Sequence, residues 1–201
     1  MENNVLDNAY VSGNAYVSGN AYVSGNANVY GNARVYGNAY VSGNANVYGN
    51  ARVYGNANVY GNAYVSGNVR VYGNANVYGD VRVSGNAYVY GDARVSGNAC
   101  VYGDSRVSGN AHVSGNACVS GNAVIEKPSD YLVVGPAASS GRYTTAHKDS
   151  VIGVRVNCGC FSGTVKEFAA AIEETHKDNP EFLKQYRLFV RLIAENFDVE
   201  L

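Results

Sequence analysis

The chain has 201 residues and a net charge of −1, with 15 basic side chains against 16 acidic ones. That balance excludes both a polycation built to coat nucleic acid and an acidic mimic of it. Four Cys at uneven spacing make no disulfide framework, and no apolar run approaches the ~18 residues of a membrane span. The opening MENNVLDNAY lacks the basic and apolar regions of a secretory leader, so a soluble protein of the reducing cytoplasm is expected.

From Val5 to Ile125 an aliphatic residue occupies every sixth position, twenty-one hexads of the form G-(N/D)-A-x-V-x. A period of six does not match a helix, and nearly every hexad carries Gly-Asn or Gly-Asp. Within Asn32-Ala33-Arg34-Val35-Tyr36-Gly37, strand alternation sends Ala33 and Val35 to one face and Arg34 and Tyr36 to the other. Gly37 and Asn38 then tolerate positive φ, so the chain can turn a corner. Stacked coils of this kind bury a continuous Val/Ala core.

An aliphatic residue with a small one two places before it, as Val35 follows Ala33, resembles the hexapeptide-repeat proteins. That resemblance implies a left-handed parallel β-helix with 18 residues per coil. The expected fold is therefore mainly β, a three-sided solenoid of about seven coils over residues 1–126. The 12-residue spacing of Asp80, Asp92 and Asp104, and of Arg70, Arg82, Arg94 and Arg106, leaves a flattened two-sided coil as the alternative. Leu6 and Asp7 make the first coil atypical and its cap thin, so self-association through that end is expected.

With 18-residue coils, Arg34, Arg52 and Arg70 stack on one face beside Tyr36, Tyr54 and Tyr72, and Tyr88, Tyr90 and Arg106 continue the column. This is the candidate interaction face, able to hold phosphate through Arg and rings through Tyr. The competing reading is Tyr packing across strands, with Arg keeping the surface soluble and Asp80, Asp92 and Asp104 neutralising Arg82, Arg94 and Arg106. Cys100 and Cys118, 18 apart, should lie one above the other as free thiols, although a disulfide fits the spacing. His112 is a lone outward His. Hexapeptide-repeat acyltransferases pair their catalytic His with a protruding loop, and carbonic anhydrases of this fold use three His. The uninterrupted repeat offers neither.

Lys127-Pro128 breaks the repeat, leaving a linker at 127–130 and a small α+β domain at 131–201. Strands are expected at 131–134, 142–147 and 151–156. The capping box Thr164-Val-Lys-Glu167 should open a helix running to about 176, and Asn179-Pro180 a second one to 197. Arg142, Thr144, Thr145, His147 and Lys148 follow a small-residue loop that begins at Gly135, and Ser162 and Thr164 precede a helix. Together they form a candidate anion site. Cys158 and Cys160 are candidate zinc ligands with His147 or His176, or buried strand residues. Cys160 with His147 could also act as nucleophile and base, without a recognisable orienting carboxylate. The CGCFSGT stretch resembles a small domain appended to hexapeptide repeats in phage and other mobile-element proteins, and brings no activity with it.

The expected function is a non-enzymatic, cytoplasmic binding scaffold that needs no cofactor. The mobile-element resemblance implies a host protein as partner and inhibition of a host defence system as purpose. Two alternatives stay open: a nucleotide- or anion-binding protein or transferase using Arg142, Thr144, His147 and Cys160, and a self-associating structural solenoid. Nucleic acid is a less favoured partner, and no membrane is expected.

Overall fold

A computed structural model describes residues 4–137 and 141–201. Twenty short strands, β1 (Tyr10–Val11), β2 (Tyr16–Val17) and onward to β20 (Val124–Ile125), follow one another at the hexad period. They form three parallel sheets of seven, seven and six strands, between six and seven turns of a β-solenoid. The first hexad contributes only a bridge from Val5 to Val23. Each strand pairs with the one 18 residues on, as Tyr10 with Asn28 and Arg34 with Arg52, so the coil has three sides. The 12-residue spacing of Asp and Arg is a pattern of substitution, and does not set the coil.

Burial explains the register. From Ala21 to Ile125 the inward Val and Ala side chains have essentially no exposure and form one continuous core. Shifting the chain by one residue would turn that whole set outward. The corners need glycine for two reasons. Gly79 sits at φ +89°, and a Cβ there would lie 2.8 Å from the Gly97 carbonyl oxygen of the next coil.

The corner Asn residues form three ladders, each amide donating to the Asn one coil on. One runs from Asn14 through Asn32, Asn50, Asn68 and Asn86 to Asp104. The others end on Asp80 and Asp92. Along the Asp80 ladder the bonds shorten from 3.3 to 3.2, 2.9 and 2.8 Å as the carboxylate is approached. Charge-assisted bonds are short, and chains of amides polarise one another. The three Asp therefore serve as ladder ends. Among the described residues, none is ion-paired with Arg82, Arg94 or Arg106.

After Ile125 a 3₁₀ turn, Pro128–Asp130, stands where a linker was expected. The buried Asp130 Oδ2 accepts from the Glu126 and Lys127 N–H groups, and Oδ1 meets Lys148 Nζ at 2.7 Å. Four antiparallel strands follow in the order β21 (Tyr131–Val134), β22 (Thr144–Asp149), β23 (Gly153–Cys158) and β24 (Phe161–Thr164). Two strands begin two residues later than the sequence suggested, and the fourth, just before the first helix, is one that the sequence did not suggest. The helices are α1 (Val165–Thr175) and α2 (Pro180–Phe197). Alternation splits the sheet between two cores. Tyr131 and Val133 pack on the solenoid, while Leu132, Val134, Ala146 and Val156 pack with Phe168, Ile172, Tyr186, Val190 and Ile193 of the helices.

Candidate functional site

The candidate anion cluster separates into groups with different surroundings. Along β22, Thr145, His147 and Asp149 face the solenoid, and their side chains take the place of a further coil. Within the solenoid, residues such as Cys100, Tyr102 and Asp104 each donate a backbone N–H to a carbonyl 17 residues on. Along β19 (Cys118–Val119) of the last coil the acceptors are side chains. Thr145 Oγ1 accepts from Cys118 N at 2.9 Å, His147 Nε2 from Ser120 N at 3.3 Å and Asp149 Oδ2 from Asn122 N at 3.2 Å. The offset is 27 residues at all three rungs, because both strands advance two residues per side chain on one face.

Asn157 completes the seal, donating to the Cys118 carbonyl at 2.9 Å and accepting from Ser120 Oγ at 3.1 Å. Arg155 lies over the last corner, where a Cβ on Gly121 would be 2.5 Å from its Nε, and pairs with Asp149 at 2.7 Å. These polar groups satisfy a sheet edge that would otherwise be left unpaired.

The same contacts fix the protonation states. Burial pushes the His147 imidazole below its ordinary 6.5. With Nε2 accepting, Nδ1 carries the proton and donates to the Lys148 carbonyl at 3.1 Å. Burial works to raise the Asp149 carboxyl, but Arg155 and the N–H groups of Val151, Ile152 and Asn122 hold it below the ordinary range. His147 and Thr145 are fully enclosed, so no substrate reaches them in this arrangement.

The remaining members lie elsewhere. Thr144 and Lys148 are on the opposite face of β22 from Thr145 and His147. Thr144 is buried and Lys148 is held by Asp130. Arg142 covers Gly159, where a Cβ would touch its Nη1 at 2.6 Å, and shares a cavity of about 260 Å³ with Cys158, Phe161 and His176. Ser162 accepts from Arg155 Nη1 at 3.1 Å. Thr164 caps α1, and the Glu167 carboxylate accepts from its N–H at 2.8 Å and its hydroxyl at 2.9 Å. An anion at that helix start is therefore supplied by the chain itself.

Cys158 lies half-buried at the end of β23, while Cys160 is exposed in the turn. Among the described residues no group of three or more His, Cys, Asp or Glu is arranged to hold a metal. Cys100 and Cys118 are paired in register with free thiols. Burial, then the neighbouring Cys118, pushes the Cys100 thiol up, which lowers its thiolate fraction.

The solenoid face keeps its expected residues together. Tyr16, Arg34, Arg52, Arg70, Tyr88 and Arg106 pair coil by coil in one sheet. Beside them Tyr36, Tyr54, Tyr72 and Tyr90 stack at 4.9, 4.9 and 5.0 Å with rings within 4° of parallel. The rings cover one another, so the ladder cannot interleave the bases of a nucleic acid along its length, and Tyr36 ends the row above Ser18. Burial, then the neighbouring phenol of Tyr36 or Tyr54 respectively, pushes Tyr54 and Tyr72 up, leaving the hydroxyls protonated at neutral pH.

The arginines divide into two sets. Arg82, Arg94 and Arg106 each follow an Asp by two residues and lie on three different sheets. Arg34, Arg52 and Arg70 each follow an Asn, share one sheet, and pair with no carboxylate among the described residues. At the ~4.8 Å spacing of adjacent strands, neighbouring charges repel by about 1 kcal/mol in water, less in salt. Arg70 places Cζ 5.2 Å from the Tyr88 ring centroid, closing one end of the column. A trough of about 510 Å³ runs between the arginines and Asn14, Asn32, Asn50 and Asn68. A cavity of about 240 Å³ on the other side is lined by Tyr16, Ser18, Arg34, Tyr36 and Arg52.

Among known families, the YdcK β-solenoid repeat matches residues 27–43, 45–61, 87–103 and 93–109. The matches lie within the solenoid, and the chain is similar to that repeat there. No curated protein matches the chain. No helix among the described residues is long and apolar enough to cross a membrane.

Proposed function

We propose that this β-solenoid repeat protein is a non-enzymatic scaffold that binds a partner protein through its Arg34–Arg52–Arg70 face. The observation that carries the reading is the stacking of three arginines without carboxylate partners beside a four-rung tyrosine ladder. Arg and Tyr dominate the energetics of protein interfaces, and rigid side chains lose little entropy on binding. The partner surface is acidic, to match the column. A host protein is the partner suggested by the likeness of the CGCFSGT stretch to mobile-element domains, and inhibition of a host defence system would be the consequence of that binding. Four free thiols suit the reducing cytoplasm this reading assumes. The test is capture from host lysate by the wild-type chain and by an R34E/R52E/R70E variant. A partner held by the first and lost from the second is expected. Identical sets from both, or nothing reproducible, would overturn the reading.

Self-association is favoured by a separate observation. Nothing among the described residues pairs with the outer edges of β1 and β2, and Val11 and Val17 are only half-buried, whereas at the other end Thr145, His147 and Asp149 meet the edge of β19. A second copy meeting that edge predicts a concentration-dependent dimer in sedimentation. A monomer at high concentration excludes it.

A further inference from the structure

The trough beside Arg34, Arg52 and Arg70 has a chemistry that a protein partner alone does not use. Its lining is three guanidiniums and four asparagine amides, with no carboxylate and no apolar side chain. Each Asn Nδ2 spends one hydrogen on the ladder, as Asn50 does on Asn68 at 3.0 Å, and keeps a second. The amides are held in row by their neighbours, and the guanidiniums repeat at the ~4.8 Å strand spacing over about 10 Å. Such a row of donors suits a chain of oxyanions better than a single ion. On the far side of the same arginines, the Tyr36 ring stands over Ser18 with no further ring beneath it, and the 240 Å³ cavity there is open to one planar group.

We propose that this trough is a binding site for a linear oligophosphate, either free or as the phosphate chain of a nucleotide whose base continues the tyrosine ladder below Tyr36. The site goes beyond the protein-binding reading and is tested without any lysate. Its position also differs from the Arg142–Thr164 region, where the polar groups serve the cap and the start of α1.

The experiment is calorimetric titration of the full chain with sodium tripolyphosphate, ATP and orthophosphate at low salt. Tripolyphosphate is expected to bind at one site and more tightly than orthophosphate. Loss of one charged hydrogen-bonding group should weaken it about tenfold in Arg52→Ala. Asn50→Asp, which sets a carboxylate in the trough like the one Asp104 carries three coils further along the same ladder, should weaken it similarly. Arg82→Ala with Arg94→Ala leaves it unchanged. ATP tighter than tripolyphosphate, with the difference lost in Tyr36→Ala, identifies a nucleotide, and equal affinities identify a free oligophosphate. No heat with either ligand up to millimolar concentration, or an equal loss from the Arg82 and Arg94 variants, overturns the proposal. Asn50, Arg52, Arg82 and Arg94 are exposed and Tyr36 is half-buried, and unchanged thermal unfolding of each variant separates lost binding from lost fold.

Discussion

Replacing His147 tests whether the end domain seals the solenoid through side chains. The imidazole is fully buried, and its Nε2 is the acceptor for the Ser120 N–H. His147→Leu keeps most of the volume and removes that acceptor. A buried donor left unsatisfied costs about 1–3 kcal/mol, and His147→Ala should cost more because a cavity is added. The pH dependence gives an independent signature. The folded pKa lies below the ordinary 6.5, chiefly through burial, so the unfolded chain takes up a proton that the cap refuses. The stability contributed by neutral His147 is present above pH 6.5. It falls by up to about 1.4 kcal/mol per pH unit below that, until the folded pKa is reached. Asp149 and Asp130, held below their ordinary 3.8, contribute stability that is lost only at lower pH. Urea unfolding followed by circular dichroism at pH 7.5, 6.0 and 5.0 reads both effects. Wild type should lose stability across that range and His147→Leu should lose less from a lower start. Equal stability and equal slopes in the two chains would refute the cap.

Other consequences follow from the same geometry. Gly79→Ala places a Cβ 2.8 Å from a backbone oxygen as well as at positive φ, whereas Gly115→Ala meets nothing within 4 Å. Both bear the ~1–2 kcal/mol of a left-handed residue, and only the first should lower the melting temperature further. Val59→Ala, in the middle of the core, should destabilise by on the order of 2 kcal/mol in thermal unfolding. Arg155→Ala strips the partner from the buried Asp149 carboxylate and uncovers Gly121, so exchange of the Asn122 amide should accelerate while amides near Val59 stay protected.

The solenoid was legible because its signal is repeated. Twenty-one aliphatic residues in one register cannot be satisfied by another period, and Gly at every corner from Gly13 to Gly121 states the backbone conformation directly. Tyr/Arg columns followed once 18 residues per coil was accepted. The Arg142–Thr164 stretch was harder to read because Thr, His and Lys close together fit an anion site and a structural cap equally well. Thr145, His147 and Asp149 alternate, which could have signalled one face of a strand, but nothing local says that the face meets the Cys118–Asn122 edge. The roles of Asp80, Asp92 and Asp104 were hidden for a related reason. Neighbours in sequence suggested Arg, whereas the bonds run to Asn62, Asn74 and Asn86 one coil away.

The central claim is that binding belongs to the solenoid face and not to the end domain. Hydroxyl-radical footprinting of tyrosine side chains, in the chain alone and with its captured partner, addresses it directly. Protection of Tyr36, Tyr54 and Tyr72, with Tyr143 unchanged, is the result this account predicts. Protection confined to Tyr143 and Tyr131 would contradict it and return the site to the end domain.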